Sequence, residues 1–190
     1  MKKLDANYQF STSIDVSDLE AILQLQQINL EANNTPEEIA SQGFVTVQHD
    51  FDLLESMSNS APPIIAKYQE AVVGYALVML QKFKAQIPVL FPMFEMIDQL
   101  NPNGQSLKDS RYFVMGQICI AKLHRSKGLF DGLYQQMKKH YQTDFDYVIT
   151  EVATRNQRSL QAHFRVGFKT IKSYTSPDGE SWELILWDWE

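Results

Sequence analysis

In the first part of the chain, apolar residues at helical spacing follow polar residues of the kind that begin helices. A helix is predicted over about 18–31, because its apolar positions recur every three to four residues. Ser17 and Glu20 form a capping-box pattern at its start. The apolar positions behind this prediction are Leu19, Ile22, Leu23 and Leu30.

Two shorter helices are predicted next. Thr35 followed by Pro36 is typical of a helix start, and Gly43 is a typical stop. A further short helix is predicted over about 51–58, after Asp50.

Residues 62–80 change to β-rich runs, which predict a hairpin around the polar pair Gln69-Glu70. A short strand is also predicted at Tyr8–Ser13. Residues of about 84–110 are less regular and contain Pro88, Pro92 and Pro102. This stretch is interpreted as an insertion between two strands, with one short apolar helix inside it.

The second half of the chain alternates strands with helices. The predicted order is a buried strand, a helix, a strand, a helix and two final strands. The strands are predicted at 112–121, 147–153, 168–174 and 182–189, the second helix at 157–166, and the first helix after the loop at 122–128, with an apolar face from Phe130 to Tyr141. The whole pattern predicts an α/β (α+β) fold, in which helices flank both faces of a mixed central sheet.

Composition limits the classes of protein that this chain can be. With 190 residues and 44% hydrophobic content, one domain over 1–190 is expected. A net charge of -6 argues against nucleic-acid and membrane partners. Cys119 is the single cysteine, so neither an internal disulfide nor a Cys-rich zinc site can form, and it is expected to be buried and inert. Without a signal-peptide pattern at the start, a cytoplasmic location is expected.

The most informative segment runs from a buried strand through Arg125-Ser126-Lys127-Gly128 into a helix. Unpaired N–H groups and a partial positive charge make a helix start a site for phosphate. A glycine lets these groups approach an anion closely, and Arg125 and Lys127 add positive charge. An ordinary strand–loop–helix connection with a solvated basic turn is the alternative.

This segment resembles the GNAT N-acetyltransferase superfamily, whose Arg/Gln-x-x-Gly-x-Gly/Ala motif holds the diphosphate of acetyl-CoA. Arg125 and Gly128 match the motif, whereas Phe130 stands where the family has glycine or alanine. We expect the Phe130 side chain to point away from the cofactor, onto the apolar face of its helix.

A second resemblance runs from Asn156 to the Gly167-Phe168 pair, with His163 where many members carry tyrosine. It implies that Asn156 contacts the coenzyme A arm and caps its helix. In this superfamily the pantetheine arm lies along the strand before the motif. The implied cofactor-binding residues are therefore Ile118, Cys119, Ile120, Arg125, Ser126, Lys127, Gly128, Leu129, Phe130 and Asn156.

The resemblance implies a mostly antiparallel GNAT-like sheet and an enzyme that moves an acetyl group from acetyl-CoA to an amine, without a metal. The implied partners are coenzyme A and a small-molecule or peptide amine, and a homodimer would be in keeping with the superfamily. A catalytically silent acyl-CoA-binding module is the alternative. A different nucleotide-binding protein fits less well, because the glycine loop matches neither common phosphate-loop motif.

Glu151 and His163 are the candidate catalytic residues. An amine must lose a proton before it attacks the thioester, and Glu151 is a carboxylate on an otherwise apolar strand. The alternatives are that Glu151 forms a structural ion pair or faces solvent, or that a water chain acts as the base. His163, by its place in the motif, is expected to give a proton to the departing sulfur. Its alternative is packing beneath the cofactor or a hydrogen bond to it.

The acceptor pocket is the least defined part of the sequence. Apolar residues in and after the insertion could line it, but packing onto the sheet is the favoured interpretation for Phe91, Met93, Phe94 and Tyr112. Trp182, Trp187 and Trp189 are likewise expected to belong to the core or to a dimer contact.

Overall fold

A computed structural model of the chain describes residues 7–12 and 15–189. Seven strands form one sheet in the order β1-β2-β3-β4-β5-β7-β6. Their bounds are β1 Tyr8–Ser11, β2 Ile64–Tyr68, β3 Ala71–Met79, β4 Tyr112–Ile120, β5 Tyr147–Ala153, β6 Lys169–Thr175 and β7 Ser181–Asp188. All neighbouring strands are antiparallel except β4 and β5, so the prediction of a mixed, mostly antiparallel sheet is confirmed.

Within the described residues, six α-helices flank this sheet: α1 Val16–Asn29, α2 Pro36–Gln42, α3 Phe51–Ser60, α4 Phe91–Ile97, α5 Leu129–Tyr141 and α6 Gln157–Val166. Short 3-10 turns surround α4 between β3 and β4, where the sequence predicts an irregular stretch. None of the helices in the described part of the chain has the length and apolar character needed to cross a membrane.

The predicted start of the first helix is wrong. The cap is Asp15, whose carboxylate accepts the Asp18 N–H at 2.9 Å, while the Asp18 side chain accepts the Asp15 N–H. Ser17 instead donates to Asp15 at 2.6 Å. The helix ends at Asn29 because Leu30 is extended and forms a bridge to Val45.

The other local signals are confirmed. Thr35 caps α2 in a capping box with Pro36 in its first turn, and Gly43 ends it at a φ of 74°. The Asp50 side chain caps α3. The β2–β3 hairpin turns at Gln69 and Glu70, which both have positive φ. Of the strand predicted at Tyr8–Ser13, β1 covers Tyr8–Ser11, and Ser13 lies outside the described residues.

The two faces of the sheet bury different cores. On β5, Val148 packs in a core with α5 and α6, whereas its neighbours Tyr147 and Ile149 pack in a core with α4. This alternation follows from the two-residue period of a strand. A third cluster joins α1 and α3 to the same second face, around Ile22, Leu54 and Tyr75.

The packing interpretation is confirmed for most of these aromatic and apolar residues. Met93, Phe94 and Tyr112 are buried in the core with α4, whereas Phe91 is exposed. Trp187 and Trp189 are buried in the core beneath α5 and α6. Trp182 is half-buried, belongs to none of the three cores and donates its indole N–H to Ser176.

The parallel strands β4 and β5 separate early. The β4–β5 ladder ends at the Val114–Ile149 pair, although β4 continues beside β3 to Ile120 and β5 continues beside β7 to Ala153. A bulge in β4 adds to the divergence, because Leu77 pairs with Gln117 and Val78 with Met115, leaving Gly116 extra. The backbone of β4 beyond the bulge therefore has an unpaired edge that faces β5.

Candidate active site

A groove of about 640 Å³ runs between the starts of α5 and α6 and along the end of β4. Nine of the ten residues that the family resemblance implies for cofactor binding line it: Ile118, Cys119, Ile120, Arg125, Ser126, Gly128, Leu129, Phe130 and Asn156. The tenth, Lys127, is exposed and does not line the groove. Residues far apart in sequence are thus brought together at one surface.

The start of α5 presents backbone donors to this groove. Gly128 caps the helix at a φ of 87°, with no hydrogen bond from a side chain. The first bond into the helix runs from the Gly132 N–H to the Gly128 carbonyl at 3.0 Å. The N–H groups of Leu129, Phe130 and Asp131 come before this bond and have no partner within the helix. Their dipoles make this end of the groove electropositive.

Arg125 holds the loop ahead of α5 to its surroundings. Its Nε donates to the Ile120 carbonyl at 3.0 Å, and Nη1 donates to Gln42 at 3.1 Å. Nη2 donates to the side-chain oxygen of Asn29. The guanidinium is half-buried, so it fixes the distance from β4 to α5 while adding positive charge to the groove wall.

The Phe130 ring packs between α5 and α6. Its centroid lies 5.0 Å from the His163 ring and 5.2 Å from the Tyr134 ring, in the core beneath the helices. The expected orientation, onto the apolar face of α5, is confirmed by these contacts. The bulky residue at the last position of the motif therefore serves packing between the two helices.

Asn156 joins α6 to the segment that follows α2. Its side-chain oxygen accepts the Ser159 N–H and caps the helix, as the sequence predicts. Its amide nitrogen donates to the Phe44 carbonyl at 3.3 Å. At the other end of α6, Gly167 is the C-cap, with a φ of 131°.

The groove adjoins a chamber of about 80 Å³ where β4 and β5 separate. Phe44, Val45, Ile118, Asn156 and Ser159 line both spaces. Glu151 and His163 line the chamber, and Thr150 borders it with a hydroxyl that donates to the Met115 carbonyl at 3.0 Å. The two candidate catalytic residues thus share one small space at the end of the groove.

Glu151 is half-buried on the sheet face opposite to α5 and α6. Burial raises the pKa of its carboxyl group, and a hydrogen bond from the Tyr174 hydroxyl partly opposes this shift. A raised pKa makes a carboxylate a stronger base. The described contacts of Glu151 include no ion pair, and its role as a base stays a prediction.

His163 is 1% exposed. Its Nδ1 lies 2.8 Å from the Ser159 carbonyl, which can only accept, so Nδ1 carries the hydrogen. Nε2 is buried, with no hydrogen-bond partner among the described residues. Burial lowers the pKa of the imidazole to about 4. The proton-donor role stays a prediction, and the alternative of packing beneath the groove agrees better with these contacts.

Cys119 is buried under α1, as expected, and burial raises the pKa of its thiol to about 12. Its side chain points away from α5 and α6, since it packs with Leu19 and Ile22. Any contact of Cys119 with a ligand in the groove is therefore through its backbone.

A buried polar cluster beside the chamber was not predicted from the sequence. Gln117 on β4 accepts a hydrogen bond from the Gln26 amide at 2.8 Å and another from the Tyr75 hydroxyl. Gln26 also bonds to the backbone N–H and ring of His49, at 2.8 Å in both cases. In the sequence, the only sign of this cluster is that polar residues such as Gln26 and Gln117 occur within apolar segments. The sequence pattern does not show that these residues contact one another.

Comparison with known proteins gives structural neighbours only. No family model matches the chain, and no curated protein matches it in sequence. The ribosomal-protein-S18-alanine N-acetyltransferase from Escherichia coli aligns with a TM-score of 0.61 at 12% identity, over 95% of this chain and 93% of that one. A GNAT-family acetyltransferase from Streptococcus pneumoniae aligns with a TM-score of 0.60 at 14% identity, over 94% and 97%.

A third neighbour, from Salmonella typhimurium, was solved with its cofactor acetyl-CoA. It aligns with a TM-score of 0.62 at 14% identity, over 97% of this chain and 95% of that one. At such identities the likeness is one of fold, and it extends over nearly the full length of each chain. The chain therefore has the fold of the GNAT acetyltransferases.

Proposed function

We propose that this protein transfers an acetyl group from acetyl-CoA to an amine, with both substrates bound at once. One spatial relation supports this function above all. A groove that begins at the free N–H groups of α5 ends in the gap between β4 and β5, beside the carboxyl group of Glu151.

A long thioester with a diphosphate at one end fits the groove. The N–H groups of Leu129, Phe130 and Asp131 would bind the diphosphate, and Gly128 leaves them accessible. The unpaired edge of β4 near Ile118 and Ile120 would hydrogen-bond the amide-bearing arm as an added strand would. The bound thioester supplies the activated acetyl group.

Glu151 would take the proton that the amine must lose. An alkylammonium titrates near pH 10, so at neutral pH a base is needed at the point of attack. The Glu151 carboxylate lies on the sheet face away from the groove helices, so an amine arriving from that face would meet it before the thioester. Backbone N–H groups on the free edge of β4 would polarise the thioester carbonyl.

His163 would belong to the packing beneath the groove, which differs from the proton-donor role expected for it. In the neutral state it holds α6 against Phe130 and Phe168, with ring centroids 5.0 and 5.1 Å away. Its Nδ1 hydrogen is used within α6. The proton that the sulfur gains would then come from water in the open groove.

The acceptor is an amine whose further chemistry stays open. The E. coli neighbour is named for an alanine of a ribosomal protein, which is compatible with a peptide N-terminus as one class of acceptor. The acetyl-CoA of the Salmonella typhimurium neighbour supports the choice of donor. Small amines and amino acids fit the same mechanism.

The test is release of free thiol from acetyl-CoA in the presence of four amines: a diamine, an amino acid, an aminoglycoside and a peptide with a free N-terminus. We expect release with at least one amine, lowered about 100-fold or more in Glu151→Gln. Glu183→Gln is the control, because Glu183 is a carboxylate on the neighbouring strand β7 that bonds to Ser173. Saturable binding of acetyl-CoA without release by any amine would instead support a silent binding module.

A further inference from the structure

Residues 43–49 cross the gap between β4 and β5 as an irregular segment, yet they are held at several points. The Val45 N–H donates to the Asn29 carbonyl, and the Val45 carbonyl accepts the Glu31 N–H, each at 3.0 Å. Gln117 donates to the Val47 carbonyl at 2.8 Å. These bonds fix the middle of the segment to α1 and β4.

Both ends of the same segment are also held. The Phe44 carbonyl accepts from Asn156, and the Phe44 ring lies 4.5 Å from the guanidinium of Arg155. That guanidinium is itself paired with Glu31 at 2.7 Å and Glu180 at 2.6 Å. At the other end, the His49 N–H donates to the buried side chain of Gln26. Such a network makes the segment a fixed wall.

This wall closes part of the chamber in which the groove ends. Residues 44–47 face the chamber together with Met115 to Ile118 of β4 and Thr150 to Ala153 of β5. Its volume of about 80 Å³ compares with about 640 Å³ for the groove, so the chamber is the narrow end of the site. An acetyl group has three heavy atoms, and each methylene added to the acyl chain must be placed in the same small space.

We propose that residues 43–49 limit the acyl donor to short chains. This assignment rests on the binding of acyl-CoA that the proposed function includes, because it places the acyl group at the end of the groove, and it does not depend on the catalytic step. A longer chain would have to displace a wall that is bonded to α1, β4 and α6, and overpacking of a fixed space costs binding free energy. The same wall leaves the diphosphate end of the groove unaffected.

The experiment is calorimetric binding of four ligands to the wild-type protein: coenzyme A and its acetyl, butyryl and hexanoyl thioesters. We expect acetyl-CoA to bind at least as tightly as coenzyme A, and hexanoyl-CoA to bind about tenfold more weakly or worse. Equal affinity for the acetyl and hexanoyl thioesters, within threefold, would overturn the proposal. Binding needs no acceptor amine, so the result is independent of catalysis.

Val47 lines the chamber and also packs against the core that contains α4, and the variant Val47→Ala removes two methyl groups from this wall. We expect it to narrow the affinity gap between the acetyl and hexanoyl thioesters by about threefold or more, with little change for coenzyme A. Val72→Ala is the matched control, since Val72 is also a half-buried valine but packs in the core with α1 and does not line the chamber. An identical gap in both variants would overturn the role of the segment.

The rate of acyl transfer to the most active amine of the panel is the second measurement, with donors of two, three, four and six carbons. A steep fall in rate with increasing chain length is expected, and equal rates across the series would contradict the role of residues 43–49. If binding depends on chain length but no donor releases thiol, the proposed function fails and the assignment of the wall stands. If no thioester binds, both fail.

Discussion

The Tyr174 hydroxyl donates a hydrogen bond to Oε2 of Glu151 across the intervening strand β7. The register explains this reach: Tyr174 pairs with Trp182, and Trp182 pairs with Ala153, two residues from Glu151 on the same sheet face. Strand β6, which does not pair with β5, thus orients the carboxyl group of the candidate base Glu151.

Replacing Tyr174 with phenylalanine tests this orientation through the pH profile. The hydroxyl bond lowers the pKa of Glu151 against the effect of burial, so its loss raises that pKa. Since the ionised carboxylate is the active base, the acid limb of kcat/KM should move to higher pH. The maximal rate at alkaline pH should change less.

The control for this prediction is Tyr68→Phe, on β2, whose ring packs against Tyr8 and His124. Tyr68→Phe should leave the pH profile of kcat/KM unchanged. An acid limb that coincides in wild type and Tyr174→Phe would show that Glu151 is not the titrating base.

Glu151→Gln should separate activity from stability. The folded pKa of Glu151 is raised, so its ionised form opposes folding at every pH above that folded pKa. The glutamine removes this charge and can still accept from Tyr174. We therefore expect a Tm at neutral pH that is no lower than that of the wild type, alongside the loss of transfer.

A thermal melt at pH 7 and pH 5 is the measurement. Any gain in Tm should be larger at pH 7, because more of the wild-type carboxyl group is ionised there. A Tm several degrees below that of the wild type at both values would mean that the carboxylate is a structural group, and the loss of activity would then carry no mechanistic meaning.

His163 gives a prediction for stability against pH. Its folded pKa is about 4 and its ordinary value is 6.5, so the unfolded chain binds the proton first as pH falls. The free energy of unfolding should fall between pH 6.5 and pH 4, by about 3 kcal/mol at most from this residue. His49, whose pKa burial also lowers to about 4, adds a second contribution of the same sign.

Urea unfolding of His163→Gln should therefore show a shallower decline over this range than the wild type. His140→Gln is the matched control, because His140 is exposed in the last turn of α5. An equally steep decline in His163→Gln would indicate that His163 is charged or solvated in the folded protein, and its part as a proton donor would regain support.

Gly128→Ala should weaken the binding of coenzyme A by about tenfold, because the left-handed backbone that opens the start of α5 disfavours a side chain. Gly179→Ala is a matched control, with a φ of 90° against 87° for Gly128 and open space where its Cβ would lie. Both should lose about 1–2 kcal/mol of stability. Equal affinity for coenzyme A in the two variants would contradict the placement of the diphosphate.

Much of the fold could be predicted from sequence because its signals are local. Thr35 and Pro36 begin a helix, and Gly43 and Gly167 end helices, through contacts within a few residues. The first helix shows the limit of such signals. Both Asp15 and Ser17 can cap a helix, and the choice of Asp15 goes with a distant contact, the ion pair between Asp18 and Lys67 at 2.7 Å.

The candidate site was predictable where it follows a linear motif and not where it depends on burial. Gly128 and Asn156 belong to linear motifs that resemble those of the GNAT superfamily, and each lies at the start of a helix as expected. The bond between Gln26 and Gln117 joins residues 91 positions apart, which no local pattern reveals. His163 looked like a proton carrier because its ordinary pKa is near neutrality. Only the structure shows the packed rings that bury it, and burial lowers its pKa to about 4.

The central claim is that the start of α5 and the free edge of β4 together hold coenzyme A. Calorimetric titration of the wild-type protein with acetyl-CoA tests it most directly. Saturable binding of one molecule per chain is the predicted result, and the absence of any saturable heat over the full titration would contradict it.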